Sequence, residues 1–483
     1  MTLAPPRTVG RPLIETRPLR HPDASDAGLM AKRGWWLVLL NVLVPGSAQV
    51  LAGRRRLGRF GLGATLLVWF LVIVVAALAM FARPVLLWLA VGAGLFSAVL
   101  LTVVQIALVG YAVLWLVLTL DTLRLVRLVK VQGPSRFAIP LVALLLFGLI
   151  GSGTAYAASA VGSVRDTLGA VFGNSGPSLP PSEGYYNILL LGADSGEGRD
   201  SMRFDSISVV SVNATTGAVT ITGIPRELPN APFSAKSPML EQYPNGFEGH
   251  SSSTCGWNGW MNHVRNAAQT CREDGGSALY PDAAAHGSEP GIEATKDAAE
   301  GVLGIEIPYY VFVDMHGFAQ LIDALGGVDI NVTERLPMGG GPSYDGEPAE
   351  DWAIGWIEPG QQHMNGDTAQ WYARSRYTTS DWDRMKRQRE LQAAILAQFT
   401  PQTVLTRFNE VAAAGTALIE TDLPQDKLPE FFDLVLKAKE QTVTSIELTP
   451  EFGVDEHEPD YAHVHEMIQQ ALHPPTPTAT PSP

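Results

Sequence analysis

Within the sixteen residues from Arg374 to Arg389, six side chains are cationic: Arg374, Arg376, Arg384, Lys386, Arg387 and Arg389, in a chain of formal charge −14. Like charges this close repel one another unless an anion sits among them, and the planar fork of arginine grips phosphate oxygens two at a time. Pairing with Asp381, Asp383 and other surface carboxylates is the bland alternative, because exposed ion pairs are common. The spacing argues for more. Leu391, Ile395 and Phe399 make the apolar stripe of a helix beginning near Ser380 or Asp381, and stepping that stripe backward reaches Gln388 and then Arg384. Those two face the core, whereas Lys386 and Arg389 leave that face for solvent. Arg374 and Arg376, two apart in the strand-like WYARSRY, point to one side. An inward arginine with no carboxylate is costly unless a ligand compensates it, so the pattern predicts a buried anion site.

The acids Asp194 and Asp205 form a second group. NILLLGAD (187–194) predicts a strand, and SISVVSVN (206–213) and AVTITGIPRE (218–227) flank the turn ATTG as a hairpin. A four-residue loop pairs 213 with 218 and carries the register back until Asp205 stands opposite Arg226. Asp194 reaches the same sheet end if the first strand runs antiparallel to the second. A lone aspartate at a strand end is more often a turn or cap residue. Two carboxylates beside arginines suit a hard cation, because Mg²⁺ is commonly held by one or two carboxylates plus phosphate oxygens. Arg203 and Arg226 would complete the cage. Metal and arginines together supply what phosphoryl transfer asks for, which is positioning and charge stabilisation. The histidines His250, His263, His286, His316 and His363 are scattered singly, and Ser195 and Ser206 have no matched histidine. They are therefore surface or structural residues rather than a hydrolytic triad.

The elements that must position these groups alternate. GIEATKDAAEGVLGI predicts a helix, PYYVFVDM (308–315) a strand, GFAQLIDALGG (317–327) a helix closed by glycines and VDINV (328–332) a strand. This is a mixed α/β domain with one central sheet flanked by helices, spanning 185–473, and 335–362 is expected as a long surface loop. Cys255 and Cys271 are the only cysteines, and a disulfide between them would contribute about 3 kcal/mol through loop entropy.

An all-α membrane region precedes that domain. Residues 1–136 hold 15 of the 34 Lys and Arg but only 4 of the 48 acids, leaving 19 cations against 44 acids beyond them. So acidic an outer part argues against nucleic acid as a partner. Spans are expected near 61–81, 98–120 and 137–157 within a membrane region of 34–158, after a basic leader of 1–33. The segment 35–53, broken by Pro45 and Gly46, is expected as a re-entrant hairpin, with a fourth span as the alternative. Arg54, Arg55, Arg56 and Arg59, and Arg124, Arg127, Lys130 and Arg136, place those loops in the cytoplasm and everything after about Ala158 outside. A stalk of 159–184 and a disordered Pro/Thr tail of 474–483 complete the plan.

The ordered blocks NILLLGAD, RFDSISVVSV, TGIPRELP, PYYVFVDMHGFAQLIDALGGVDI and GQQHMNGDTAQWYARSRYTTSDWDRMKRQ resemble the LytR-CpsA-Psr family of cell-envelope proteins over roughly 187–400. The membrane portion resembles actinobacterial members with several spans. The resemblance implies an extracytoplasmic phosphotransferase that moves a glycopolymer from a polyprenyl (pyro)phosphate carrier to peptidoglycan. By motif position it implies Asp194 and Asp205 as ligands of Mg²⁺ or Mn²⁺. Arg203, Arg226, Arg374, Arg376, Arg384 and Gln388 match the family's pyrophosphate-binding set, with Arg226, Arg374 and Arg376 expected as catalytic. The family also has an apolar tunnel for the lipid tail. Two departures stand out: Pro225, Arg226, Glu227 replaces the common Pro-Arg-Asp, and the following block lacks the usual Lys-Ile-Asn, with Asn262 the nearest match. A membrane sensor or regulator, and a lipid-carrier binding module without catalysis, are the rival readings. The 33-residue leader is short for a folded DNA-binding domain.

Overall fold

The computed structural model describes residues 19–173, 176–193, 203–250, 255–271, 276–344, 346–398 and 419–474. Two compact units divide the chain, Met1–Leu86 with Val99–Gly162, and Leu87–Ala98 with Ser163–Pro483.

The first unit is helical. α1 (Ala27–Leu43) and α2 (Ser47–Ala52) form a hairpin turned at Pro45 and Gly46, followed by α3 (Arg55–Phe81). The chain then runs through α4 (Arg83–Leu87) and, in the stretch Leu87–Ala98 that belongs to the second unit, a π-helical turn at Trp88–Gly92 and Gly94 with φ +55°, which interrupts the helical run before α5 (Leu95–Val126). α6 (Ser135–Phe172) continues well past the expected span. Three helices among the described residues, Arg55–Phe81, Leu95–Lys130 and Ser135–Phe172, are long and apolar enough to cross a membrane. The α1–α2 hairpin is tied to α5 by polar bonds, Asn41 Nδ2 to Thr119 Oγ1 at 3.0 Å and Gln49 Nε2 to the Leu118 carbonyl at 2.8 Å. Its turn lies directly on α3. A Cβ at Gly46, where φ is +94°, would sit 2.3 Å from the Leu62 nitrogen.

The second unit begins its sheet with β1 (Tyr185–Ala193), β2 (Ser206–Asn213) and β3 (Val219–Ile224), consecutive antiparallel strands. Val212 pairs Val219, as the loop-length argument requires. Beyond a two-residue ladder, β4 (Gly249–His250) with β5 (Trp257–Asn258), come α7 (Val264–Gln269), α8 (Pro290–Leu303), β6 (Tyr309–Asp314) and α9 (Met315–Leu325). β7 (Val328–Val332), β8 (Leu336–Met338), α10 (Ala349–Trp352), β9 (Gly355–Ile357) and β10 (Gly360–Met364) follow. α11 (Gly366–Arg374), α12 (Asp381–Gln398), β11 (Ile419–Thr421), α13 (Leu428–Ala438), β12 (Thr444–Glu447) and α14 (Tyr461–Leu472) complete it.

The six-stranded mixed sheet has the order β11-β6-β1-β2-β3-β12. Its strands alternate in what they bury. Leu189, Leu191, Ile207, Val209, Tyr310 and Phe312 face a core closed by Ala294, Ala298 and Val302 of α8 and by Val464 and Ile468 of α14. The opposite face packs Tyr186 and Tyr309 on Leu434 of α13, and Val219 and Ile221 on Ala438. A separate core gathers Ile322, Val328, Ile330, Leu336, Met364, Tyr372 and Leu391. α12 contributes Leu391 to that core and also packs on β3 and β12, so it is covered from two directions.

Three expectations are corrected. VDINV does not join the central sheet, because β7 pairs antiparallel with β10 in a two-stranded sheet. Residues 335–362 are not a loop throughout, because Leu336–Met338 pairs Gly355–Ile357 around α10. WYARSRY is not a strand, because Asn365 caps α11 by accepting from the Thr368 amide and the helix runs to Arg374. Pro474 closes the described part of the chain, and 475–483 of the expected tail lie outside it.

Candidate active site

Strand register brings the first charges together. The Asp205 amide donates to the Gly192 carbonyl at 2.9 Å, which holds the start of β2 beside the end of β1. Two residues beyond the end of β3, Arg226 Nη1 donates to Asp205 Oδ1 at 2.8 Å, the pairing that the hairpin register demands. Arg226 Nη2 reaches Glu227 Oε1 at 3.0 Å. The side chain of Arg226 is 14% exposed, and its Nε is buried with no hydrogen-bond partner among the described residues.

α12 supplies the next group, with Arg384 and Gln388 both buried as the backward stripe predicts. Arg384 Nη2 donates to Asp381 Oδ2 one turn earlier, at 3.0 Å, so it does have a carboxylate partner. Its Nε has no partner among the described residues, and burial pulls its pKa below the usual guanidinium value although Asp381 opposes that shift. Gln388 is held at both ends, donating to the Ala373 carbonyl at 3.3 Å and accepting from Arg389 Nη2 at 3.4 Å. Arg374 ends α11 with its guanidinium carbon 5.4 Å from the Trp371 ring centre. Arg376 lies in the following loop, its Nη1 3.9 Å from Asp381 Oδ1.

These residues converge on one cavity of about 160 Å³, whose walls include Asp205, Arg226, Arg374, Arg376, Arg384 and Gln388. An apolar cavity of about 100 Å³ lies against it, lined by Leu190, Val313, Phe318 and Leu391 among others, with Met315, Ala373 and Gln388 common to both. A charged end and an apolar end thus adjoin. The arrangement suits a molecule with an anionic head and a hydrocarbon tail.

Other expected residues stand elsewhere. Arg203 does not line the arginine cavity. It is exposed, with Nη1 3.1 Å from His263 Nε2. Asp194 lies outside the described residues, so Asp205 is the described member of the acid pair. Asp205 sits on the cavity wall with its side chain 37% exposed, an oxygen donor of the kind hard cations take, and this fits a divalent ion shared with phosphate. No cluster of three or more metal-ligating side chains occurs among the described residues. Asn262 is buried beside Arg226, its amide donating to the Arg226 carbonyl at 2.9 Å. Cys255 and Cys271 form a disulfide, with Cα atoms 5.3 Å apart.

Two arginines do work that the sequence reading missed. Arg387 is a clamp: Nε donates to the Tyr372 carbonyl at 3.2 Å, Nη2 to the Ser375 carbonyl and to Thr379 Oγ1, and Nη1 to Glu334 at 3.3 Å. It fixes the loop that carries Arg376. Arg389 was expected in solvent and is instead buried, with Nε 3.6 Å from Glu447 Oε1 and Nη2 3.3 Å from Ser206 Oγ. The reason is geometric: α12 is covered on a second side by β3 and β12, and Arg389 lies on that side while Lys386 keeps the solvent face. Gly223 was the available signal. It pairs with Glu447, and a Cβ there would stand 2.0 Å from the Glu447 carboxylate.

The family model for LytR_cpsA_psr matches residues 273–473. Biofilm regulatory protein A of Streptococcus mutans is 26% identical over 60% of this chain, which spans 63% of that protein's length. A polyisoprenyl-teichoic acid–peptidoglycan teichoic acid transferase, TagU of Bacillus cereus, is 28% identical over 58% of this chain and 77% of its own. Among solved structures, Bacillus subtilis TagV superposes with a TM-score of 0.38 at 21% identity, covering 60% of this chain and 97% of its own. TagT with bound octaprenyl pyrophosphate gives 0.37 at 18%, covering 63% and 97%. The match to the LytR_cpsA_psr family model covers 273–473, which includes Arg374, Arg376, Arg384 and Gln388 of the cavity, and over that part the chain is similar to the LytR-CpsA-Psr family.

Proposed function

We propose that this protein transfers a glycopolymer from a polyprenyl diphosphate carrier to peptidoglycan, leaving a phosphodiester link. The observation that carries the reading is the cavity on which Arg226, Arg374, Arg376 and Arg384 converge, adjoined by an apolar cavity that shares Met315, Ala373 and Gln388 with it. The diphosphate lies among the guanidinium groups and the first part of the prenyl chain enters the apolar side. A hydroxyl oxygen of the acceptor bonds to the phosphorus that carries the sugar, the bond from that phosphorus to the bridging oxygen breaks, and the departing polyprenyl phosphate takes the bridging oxygen and the hydroxyl's proton. Arg226, Arg374 and Arg376 stabilise the charge that develops on those oxygens. Arg384 and Gln388 orient the head group. Arg203, expected in the same set, stands outside the cavity against His263 and is given no role in holding the diphosphate. Asp205, with Asp194, would hold Mg²⁺ or Mn²⁺, which when bound would neutralise part of the diphosphate charge.

The chain is read as a multi-pass membrane protein with its second unit outside the cell. Three apolar helices, basic loops before α3 and α6, and the disulfide support that placement. The test is transfer by the detergent-purified full-length protein, given a polyprenyl-diphosphoryl saccharide, a peptidoglycan fragment and Mg²⁺. Mass spectrometry should find the saccharide on the fragment through a phosphodiester, with release of polyprenyl phosphate. Binding of the lipid without phosphorus–oxygen cleavage would instead indicate a carrier-binding module.

A further inference from the structure

A cavity of about 430 Å³ adjoins the arginine cavity, and the transfer reading gives it no occupant. Two indoles line it, Trp260 and Trp382, together with the carboxylates of Glu227, Asp381 and Glu456. The two cavities share a boundary made of ion pairs. Glu227 accepts from Arg226 at 3.0 Å and Asp381 accepts from Arg384 at 3.0 Å, so each acid lines the second cavity while its arginine lines the first.

One of the two indoles, Trp260, is fixed in place. Trp260 stacks on His263 with ring centres 5.7 Å apart and planes inclined by 23°. That imidazole is itself held, with Nδ1 3.0 Å from the Asn258 carbonyl and Nε2 3.1 Å from Arg203. Burial keeps His263 below its usual pKa, so the neutral ring donates from Nδ1 and accepts from Arg203 at Nε2. Trp260 also bridges to Pro229, whose carbonyl accepts from the Tyr461 hydroxyl at 2.7 Å.

A sugar ring offers an apolar C–H face, which lies flat on an indole, and a rim of hydroxyls that donate to carboxylates. Neither lysine nor arginine is among the lining residues, and the one basic side chain there, His457, stands 3.6 Å from Glu456, so the three carboxylates dominate and disfavour an anionic ring. We propose that this cavity is a saccharide subsite for an uncharged sugar unit beside the reacting phosphate, with Trp260 and Trp382 as platforms and Glu227, Asp381 and Glu456 accepting its hydroxyls. The assignment rests on the transfer reading and adds to it the class of sugar nearest the reacting phosphorus.

The full-length protein in detergent is titrated, by calorimetry and tryptophan fluorescence, with an N-acetylglucosamine tetrasaccharide, an uncharged hexose tetrasaccharide and a glycerol phosphate oligomer. Farnesyl diphosphate is titrated in parallel. At least one uncharged saccharide should bind saturably and the anionic oligomer should not. Trp382→Ala should weaken the saccharide by about tenfold, the scale of one lost aromatic platform. Retained farnesyl diphosphate affinity shows that the variant is folded. Glu456→Lys, at an exposed position, should shift preference toward the anionic oligomer. A farnesyl-diphosphate-linked disaccharide separates the two sources of sugar. If it binds more tightly than farnesyl diphosphate, and Trp382→Ala removes the difference, the subsite serves the donor. If a free tetrasaccharide still binds beside it, the subsite serves the acceptor. The proposal is overturned if farnesyl diphosphate binds but no uncharged saccharide does, if the anionic oligomer binds better, or if Trp382→Ala and Glu456→Lys both behave as wild type. Failure of farnesyl diphosphate to bind counts instead against the arginine cavity.

Discussion

At the scale of single residues, the six cations between Arg374 and Arg389 divide into distinct tasks. Arg374, Arg376 and Arg384 line the cavity, Arg387 clamps the loop, Arg389 meets Glu447 inside the domain and Lys386 stays exposed. Arg226→Ala or Arg374→Ala is expected to lower transfer by about 10²–10³-fold, the scale seen when one preorganised charge stabiliser is removed, with circular dichroism unchanged. Wild-type turnover by either variant would remove it from the catalytic set. Glu447 gives a pH signature. Burial outweighs the neighbouring Arg389 and pushes its carboxyl up to about 7, against an ordinary value of 4.5. A raised acid holds its proton longer in the folded state, so its contribution is complete below pH 4.5 and is lost as pH rises through 7. That loss is worth roughly 3 kcal/mol at most. Denaturant melts of Glu447→Gln should show a weaker fall in stability between pH 4.5 and 7 than wild type. Parallel pH profiles for the two proteins would contradict the assignment.

At the scale of elements, α12 decides the site, because one helix carries cavity, clamp and buried pair on successive residues. Its start, its inward Arg384 and Gln388, and the meeting of Asp205 with Arg226 were legible because helical period and hairpin register are local rules. Arg389 was illegible for the opposite reason. Its partner Glu447 lies 58 residues further on, on an edge strand that periodicity alone does not place next to β3. The helical form of WYARSRY was hidden as well, since the cap that starts it, Asn365, lies outside that stretch. Arg387→Met should cost about 2–4 kcal/mol in a denaturant melt, because it strips the carbonyls of Tyr372 and Ser375 of their donor, whereas half-exposed Glu334 is solvated and adds little. Lys386→Met, one residue away and exposed, should stay within about 0.5 kcal/mol. Equal effects would show that Arg387 is not a clamp.

At the scale of the whole molecule, composition separated an apolar basic part from an acidic one; two of the three helices long enough to cross a membrane lie in the first part and the third, Ser135–Phe172, begins at its end. What composition could not reveal is that the charged and apolar cavities share Met315, Ala373 and Gln388, since those residues come from three separate elements. The most direct test of that shared architecture is calorimetric titration of the full-length protein with farnesyl diphosphate, farnesyl monophosphate and farnesol. The account predicts that the diphosphate binds best and farnesol worst, and that Arg226→Ala and Arg374→Ala each weaken the diphosphate about tenfold or more while leaving farnesol unchanged. Equal affinity for all three ligands, or diphosphate binding untouched by both substitutions, would contradict it.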